Sequence, residues 1–286
     1  MGYGHEATGG AGGPVRTAHT AGEFRALAEA TGDQALTIQV HGRLEIGSVS
    51  VGSNKTIEGA GGSPTLVGGL VISRGVSNII VRNLHITNPT RKKHIEGRDG
   101  ISISGGRVVW VDHCTFQDCG DGSLDISNGA DDITVSWCKF EYSSKKQPHR
   151  FVMLANGPPK KSVKKKLHLT LHNNWFAKHS YSRMPAATKA RVHMFNNYFD
   201  PGENSYATNA RKDTEIRSES NFYRATNNPF YKEKNAKLSS SGNIFENCSG
   251  NIDLGRDDVF DPPYDYEPVK ASKVPDMVQS GAGCRF

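Results

Sequence analysis

The sequence predicts an all-β protein that folds as one right-handed parallel β-helix, a solenoid of stacked coils, across residues 1–286. Three observations predict it: a repeat of about 23 residues, a polar column in one register of that repeat, and short alternating strands that each end on an aromatic residue. With 36% hydrophobic and 22% charged residues, the chain has the composition of a folded protein. No segment approaches the roughly 18 apolar residues of a membrane span, so we expect no membrane partner.

Six segments carry the repeat. They read VDHCTF, VSWCKF, LHNNWF, MFNNYF, ESNFY and SGNIF, and they end at Phe116, Phe140, Phe176, Phe199, Tyr223 and Phe245. Two positions before these aromatics lie Cys114, Cys138, Asn174, Asn197, Asn221 and Asn243. Successive members of this column are 24, 36, 23, 24 and 22 residues apart, so one coil carries a long insertion.

The polar column distinguishes stacked coils from other solenoids. Leucine-rich repeats share the period, but they require leucines at fixed spacing, and these segments do not show that spacing. In stacked coils, asparagines in one register hydrogen-bond along the stack, as in the asparagine ladders of cross-β assemblies. The alternative is that the asparagines simply form turns, but four in one register favour the ladder.

Each end of a solenoid needs a cap, because an end coil exposes an open edge. Thr20 to Glu23 matches a capping box, and it opens an amphipathic helix, EFRALAEA, whose Phe24 and Leu27 would close one end of the core. The tail from Asp261 is rich in proline and turn residues and is expected to wrap the outside.

The repeat places three charged residues on one outer side of successive coils. Asp121 lies five residues after Phe116, and Lys145 lies five after Phe140. Arg183 lies seven after Phe176. Coils stack about 4.8 Å apart, so these side chains are expected to converge within roughly 10 Å.

Two further aspartates flank this group, and together the carboxylates suggest a metal site. Asp125 is four residues after Asp121, and Asp112 lies in the strand just before. Three carboxylates without cysteine or histidine suit a hard cation such as Ca²⁺. The alternative is that Asp121 and Asp125 only cap a turn in DGSLDISNGADD. Lys145, taken alone, is better explained as a solvated surface residue, so the prediction rests on the convergence of these residues.

The net charge indicates which partners the protein can bind, and the cysteine content bears on zinc sites and disulfides. The formal charge of +6 is compatible with an anionic partner. The lysine run in PPKKSVKKK has no interleaved aromatic residues, so nucleic acid is not the expected partner. Five cysteines without CxxC spacing match neither a zinc site nor a full disulfide framework. Whether Cys114 and Cys138, neighbours in the column, are bonded stays open.

The segments WVDHCTF, DGSLDISNGADDITVSWCKF, LTLHNNWF, RMP and VHMFNNYF resemble, in order and spacing, the pectate lyase superfamily, polysaccharide lyase family 1. SNKTIEGAGG near the start and VFDPPYDYEP near the end extend the resemblance over nearly the whole chain. The resemblance implies a calcium-dependent lyase that cleaves polygalacturonate, an anionic polysaccharide, by β-elimination to 4,5-unsaturated products.

The resemblance also implies residue roles. Asp112, Asp121 and Asp125 match the calcium ligands of the family. Lys145 matches the lysine that binds the substrate carboxylate, with Lys146 as a rival because this stretch is longer than usual. Arg183 matches the arginine that contacts the substrate and acts as the base.

One position departs from the family pattern. The usual RxPxxR is here Arg183-Met184-Pro185-Ala186-Ala187-Thr188, so a threonine replaces the second arginine. Lys189 and Arg191 are the candidates to supply the missing charge, although neither has the family position. The departure bears on substrate grip and substrate identity.

Three alternatives remain open from the sequence. A pectin lyase would act on methyl-esterified polymer without calcium and would lack the aspartate cluster. A β-helical glycosidase would use Asp121 and Asp125 as acid and base. A non-catalytic carbohydrate-binding β-helix would need no charged residues in register.

Location and assembly follow from the resemblance alone. The start, MGYGHEATGG, lacks the basic and apolar regions of a signal peptide. Since similar enzymes are secreted by microbes, we expect a secreted monomer from which the signal has been removed.

Overall fold

The computed structural model describes residues 1–90, 97–159, 165–252 and 255–285. These residues form a parallel β-solenoid of about ten turns, and every pairing between its strands is parallel. The predicted fold class is therefore confirmed. No helix in the described ranges is long and apolar enough to cross a membrane.

Twenty-five short strands and two α-helices build the described part of the chain. The helices are α1 (Ala21–Ala28) and α2 (Val274–Gly281), the second preceded by a 3₁₀ turn, Ala271–Lys273. In chain order the strands are β1 (Val15–Ala18), β2 (Leu36–Val40), β3 (Arg43–Ser50), β4 (Lys55–Gly59), β5 (Thr65–Ser73), β6 (Ser77–Arg82), β7 (His85–Thr87), β8 (Ile101–Ser104), β9 (Arg107–Asp112), β10 (Thr115–Gln117), β11 (Leu124–Ser127), β12 (Asp131–Ser136), β13 (Lys139–Glu141), β14 (Leu154–Asn156), β15 (Leu167–His172), β16 (Trp175–Phe176), β17 (Ala186–Thr188), β18 (Ala190–Phe195), β19 (Tyr198–Phe199), β20 (Thr208–Ala210), β21 (Glu215–Glu219), β22 (Phe222–Arg224), β23 (Phe230–Lys232), β24 (Lys237–Ser241) and β25 (Ile244–Glu246).

The strands form three faces that run along the solenoid. One is a ten-stranded sheet in the order β1-β2-β4-β6-β9-β12-β15-β18-β21-β24. The other two share the long strand β5: β8, β11, β14, β17, β20 and β23 follow on one side, and β7, β10, β13, β16, β19, β22 and β25 on the other. We call the face from β8 to β23 the site face, because the candidate site lies along it.

The aromatic residues that close each repeat form a stack inside the solenoid. Successive ring centroids from Phe116 through Phe140, Phe176, Phe199 and Tyr223 to Phe245 are 5.0, 5.3, 4.6, 4.2 and 5.1 Å apart, and every pair is stacked. All but the last are fully buried. The same repeat therefore fixes both the core and the register of the coils.

The predicted asparagine ladder is present. The side-chain oxygen of Asn197 accepts hydrogen bonds of 3.0 Å from both the backbone and side-chain amides of Asn174. Asn221 and Asn243 repeat this pattern on the following coils. At the other end, the backbone amide of Cys138 donates to Asn174. Each buried turn thus has its polar groups paired by its neighbour.

We expect Asn197→Ala to destabilise the protein by about 2–4 kcal/mol, because the buried amides of Asn174 lose their acceptor and the side-chain oxygen of Asn221 loses a donor. Urea unfolding would measure the change. Asn243→Ala is the matched control, since Asn243 is only half-buried and ends the ladder, and it should cost less. Equal losses at both positions would contradict a cooperative ladder.

Helices cover the solenoid where the sequence predicted one cap and missed another. The capping box at Thr20 and Glu23 is present, and Phe24 is buried. In the tail, α2 packs Val274 and Val278 against an outer cluster with Tyr198 and Phe222. Pro275 in its first turn and the apolar spacing of VPDMVQSG were its sequence signals.

The cysteines carry no disulfide. All five are free, and Cys114 and Cys138 are buried as neighbours in the column. Their thiols donate to backbone carbonyls of Val81 and Val111. They therefore act as small packing residues.

Candidate active site

Three carboxylates and one guanidinium meet beside the site face. Asp125 projects outward from β11, where its Oδ1 accepts a hydrogen bond of 2.9 Å from the backbone amide of Leu154. Asp99 precedes β8, and its Oδ1 accepts one of 2.9 Å from Gly122. Charges of Asp121 and Arg183 act on both Asp99 and Asp125. Asp121 and Arg183 therefore lie close enough to Asp125 for their charges to act on its carboxylate.

Glycine at position 122 makes this grouping possible. A Cβ on Gly122 would lie 2.3 Å from Asp125 Oδ1, a distance that no side chain can occupy. The same glycine donates its amide to Asp99. The turn between Asp121 and Asp125 is therefore shaped to bring the carboxylates of two coils together.

The cluster carries more negative than positive charge. Burial raises the pKa of Asp99 and of Asp125 well above the ordinary carboxyl range. The charge of Asp121 raises both further, and Asp99 adds to the effect on Asp125. Arg183 acts in the opposite direction but does not offset these effects. A bound cation would relieve this repulsion.

Asp112, the third predicted ligand, lies on a different sheet from Asp125. It ends β9 on the ten-stranded sheet, opposite Ser136 of β12. Its carboxylate accepts hydrogen bonds from the hydroxyl of Ser136 at 2.5 Å and from Nδ1 of His113 at 2.7 Å. A turn of the coil separates this face from the site face, although the residues are close in sequence.

Asp99, which the sequence analysis did not single out, acts by charge on Asp125, and Asp121 acts by charge on Asp99. Asp99 lies 22 residues before Asp121, which is one coil period, in the segment GRDG. Extending the repeat backwards by one coil would have found it.

Lys145 lies in a turn after β13. Its ammonium pairs with the carboxylate of Glu203, and both side chains are more than half exposed. Isolated bridges pair Gly122 with Phe151 and Phe151 with Ser182, so Arg150 follows Asp121 in register on the next coil. Lys146, the rival, makes a backbone hydrogen bond to Ser144 in the same exposed turn.

Aromatic rings support both arginines near the carboxylates. The guanidinium carbon of Arg183 lies 4.0 Å from the centroid of Phe151, and that of Arg150 lies 4.6 Å from Tyr181. Arg150 also donates to the carbonyl of His179 at 3.2 Å. Arg183 is half-buried and has a φ of 61°.

A second acidic group on the ten-stranded sheet is less suited to a cation. Ligand atoms of Asp131, Asp132 and His168 lie within 4.8 Å of one another. However, Lys165 pairs with Asp131 at 2.8 Å, and Arg107 pairs with Asp132 at 2.7 Å. Burial would raise the pKa of Asp131, but hydrogen bonds from His168 and Lys165 hold it at about 2. Protein cations already compensate this group.

Lys189 and Arg191, the two candidates for the charge missing at Thr188, make other contacts. Arg191 lies on β18 and faces Glu215 on the ten-stranded sheet. Lys189 Nζ donates to the carbonyl of Pro158 at 3.3 Å. Thr188 borders a pocket of about 470 Å³, which is lined by Gly157, Pro158, Pro159, Thr188, Lys189, Lys212 and Asp213.

The lysine run is described only in part. Lys160, Lys161 and Lys164 lie outside the described residues. Lys165 and Lys166 pair with Asp131 and Glu215 on the ten-stranded sheet. These two lysines therefore do not lie with the carboxylate cluster.

Known proteins share this architecture. Residues 23–285 match the model of the family described as pectate lyase. Putative pectate lyase 21 of Arabidopsis thaliana is 31% identical over 262 residues, which cover 85% of this chain and 65% of that protein. The pectate trisaccharide-lyase of Thermotoga maritima is 33% identical over 207 residues, covering 68% of this chain and 53% of that protein. The chain thus spans about half to two thirds of the length of these relatives.

A solved structure agrees over nearly the full length. A pectate lyase from Bacillus sp. N165, crystallised with trigalacturonate, superposes with a TM-score of 0.81 at 27% identity. The alignment covers 99% of this chain and 98% of that one. From the family match, the relatives and the shared solenoid, the chain belongs to the pectate lyase family.

Proposed function

We propose that this protein is a polysaccharide lyase that cleaves polygalacturonate by β-elimination and depends on calcium. The observation that carries the proposal is the meeting of Arg183 with Asp99, Asp121 and Asp125 on a pectate lyase fold. A relative solved with trigalacturonate supports an oligogalacturonate as the substrate.

The residues of the cluster suit a calcium ion. Asp99, Asp121 and Asp125 offer only oxygen ligands, and the charge of Asp121 adds to the effect of burial in raising the pKa of the other two. When bound, Ca²⁺ would neutralise the carboxylate of a galacturonate and make the hydrogen at C5 more acidic. We therefore propose Asp99, rather than Asp112, as the third protein ligand.

Arg183 would remove the proton. In the proposed reaction the C5–H bond breaks, a C4–C5 double bond forms, and the C4–O glycosidic bond breaks as its oxygen takes up a proton. No water is consumed, so one new chain end is unsaturated. A base must be neutral when it takes the proton, whereas an arginine side chain is normally protonated.

Arg150 supports the grip on the polymer. It follows Asp121 in register, and its guanidinium can take a carboxylate with two parallel hydrogen bonds. Lys145 is more exposed and is engaged by Glu203. We therefore expect Arg150→Gln to raise KM more than Lys145→Gln does.

Other proposed properties rest on the family. The acidic cluster favours pectate over the methyl-esterified polymer that a calcium-independent pectin lyase would take. We propose that the protein is secreted and acts as a monomer on this anionic polysaccharide.

Ultraviolet absorbance tests the reaction. Polygalacturonate with Ca²⁺ at alkaline pH should give rising near-ultraviolet absorbance from the conjugated double bond, in step with new reducing ends. Reducing ends without absorbance would mean a hydrolase that uses Asp121 and Asp125. Neither signal, with retained binding, would mean a carbohydrate-binding protein.

Asp99 and Asp112 are rival candidates for the third calcium ligand, so a pair of variants tests the metal site. Asp99→Asn should weaken calcium activation by at least about tenfold, because it removes a charged ligand. Asp112→Asn should leave the calcium concentration for half-maximal activity unchanged, since Asp112 lies on another face. Titration of activity with Ca²⁺ measures both. The opposite pattern would restore Asp112 as the ligand and exclude Asp99.

A further inference from the structure

The guanidinium of Arg183 lies over the ring of Phe151 in a cation–π contact. The ring centroid lies 4.0 Å from the guanidinium carbon, which is close contact for a cation above an aromatic face. The pair joins two neighbouring coils, because Phe151 is bridged to Ser182, the residue before Arg183. On the preceding coil Phe151 is bridged to Gly122, which has no side chain.

Phe151 is itself held in place. Its carbonyl accepts hydrogen bonds from the hydroxyl of the fully buried Tyr142 at 2.7 Å and from the amide of Ser123 at 3.2 Å. Its ring stacks on that of His149 at 5.3 Å. The ring is therefore a fixed support rather than a mobile surface group.

Arg183 has few other constraints on its side chain. Among the residues that the structure describes, no hydrogen bond or ion pair holds its guanidinium, although the nearby carboxylates attract it. Its backbone is fixed, because the carbonyl accepts a hydrogen bond of 2.7 Å from Met153. The ring contact therefore fixes the plane of the guanidinium while its N–H groups stay free to face a substrate.

We propose that Phe151 is a positioning residue that holds the guanidinium of Arg183 on its ring face, oriented for the reaction. The proposal rests on the proposed function insofar as it concerns catalysis, but the contact itself can be tested without activity. An arginine chain has several rotatable bonds, and fixing one orientation lowers the entropic cost of reaching the reactive geometry.

Kinetics of paired variants test the role. Phe151→Leu removes the aromatic face and should lower kcat about tenfold with KM nearly unchanged. Phe151→Tyr keeps the face and should retain most of kcat. Phe260→Leu is the matched control, because Phe260 lies 5.7 Å from the guanidinium carbon of Arg191 on the other sheet and is remote from the site. It should leave both constants unchanged.

Nuclear magnetic resonance tests the contact directly. The ring should shift the Nε–H signal of Arg183 upfield, with Arg183→Ala identifying the signal. Phe151→Leu should abolish the shift, and Phe151→Tyr should preserve it.

The two outcomes that overturn the inference differ from failure of the proposed function. Equal kcat in Phe151→Leu and the wild type, or equal loss in the leucine and tyrosine variants, would refute positioning by the ring. A wild type that yields no unsaturated product would instead refute the lyase function. An Arg183 signal without the upfield shift would refute the contact itself, whether or not the protein is active.

Discussion

Replacing Arg183 with alanine is expected to lower the rate of unsaturated product formation by about 10³-fold, the usual contribution of a positioned proton acceptor. Binding of the polymer should change little, because Arg150 and the carboxylate cluster remain. The measurement is initial ultraviolet absorbance with saturating polygalacturonate, together with a separate binding isotherm.

Arg183→Lys separates charge from geometry. A lysine keeps the positive charge but lacks the planar fork that rests on Phe151. We expect it to recover only a small part of the rate. Full activity of the lysine variant would mean that Arg183 acts as a point charge beside the carboxylates, and another group would then have to accept the proton.

The repeat allowed most of the fold to be predicted. A column of asparagines two residues before stacked aromatics is a local pattern, but it constrains contacts between coils, so it predicts long-range structure. Helix α2 was missed because its apolar residues pack on the outside of the solenoid and are not part of the repeat pattern. Its proline and apolar spacing were readable as a helix start.

The site was predicted only where the register was regular. Asp121 and Asp125 are four residues apart, and the charge of Asp121 acts on Asp125, as sequence proximity suggests. Asp112 is also close in sequence, but a coil of this solenoid changes face within a few residues. Proximity in sequence was therefore misleading, whereas the coil period leads directly to Asp99.

The long insertion makes the register of Lys145 hard to predict. Counting from Phe140 assumes a regular coil, but this coil is the one with the 36-residue step. Within such a segment the register is set by local backbone pairing, which the sequence does not reveal. The pairing of Phe151 with Gly122 and Ser182 places Arg150, not Lys145, beside Asp121.

Asp125→Asn should abolish stabilisation by calcium and, without calcium, should make the protein more stable than the wild type at alkaline pH. Burial and neighbouring carboxylates raise the pKa of Asp125 in the folded state. The neutral carboxyl is therefore favoured by folding, and its stabilising effect is complete below about pH 4, the ordinary carboxyl pKa. This effect is lost as pH rises through the raised value.

An asparagine mimics the neutral carboxyl at every pH, and its side-chain oxygen can still accept the hydrogen bond from Leu154. Without calcium, the free energy of unfolding of the variant should therefore exceed that of the wild type increasingly from about pH 4 upwards. The difference should reach only about 1–3 kcal/mol at pH 9, because the partial exposure of Asp125 limits it. Added Ca²⁺ should reverse the order, since binding stabilises the folded wild type by RT ln(1 + [Ca²⁺]/Kd).

Thermal unfolding at pH 6 and pH 9, with excess chelator and with Ca²⁺, measures both the stability difference between the variant and the wild type and the stabilisation by calcium. Asp112→Asn is the matched control: it removes a carboxylate of the other sheet and should keep the full calcium-induced rise in Tm. A calcium response in Asp125→Asn equal to that of the wild type would exclude Asp125 as a ligand. Lower stability of the calcium-free variant at pH 9 would show that the negative charge of Asp125 is compensated within the protein, and the physical case for a cation at this cluster would be lost.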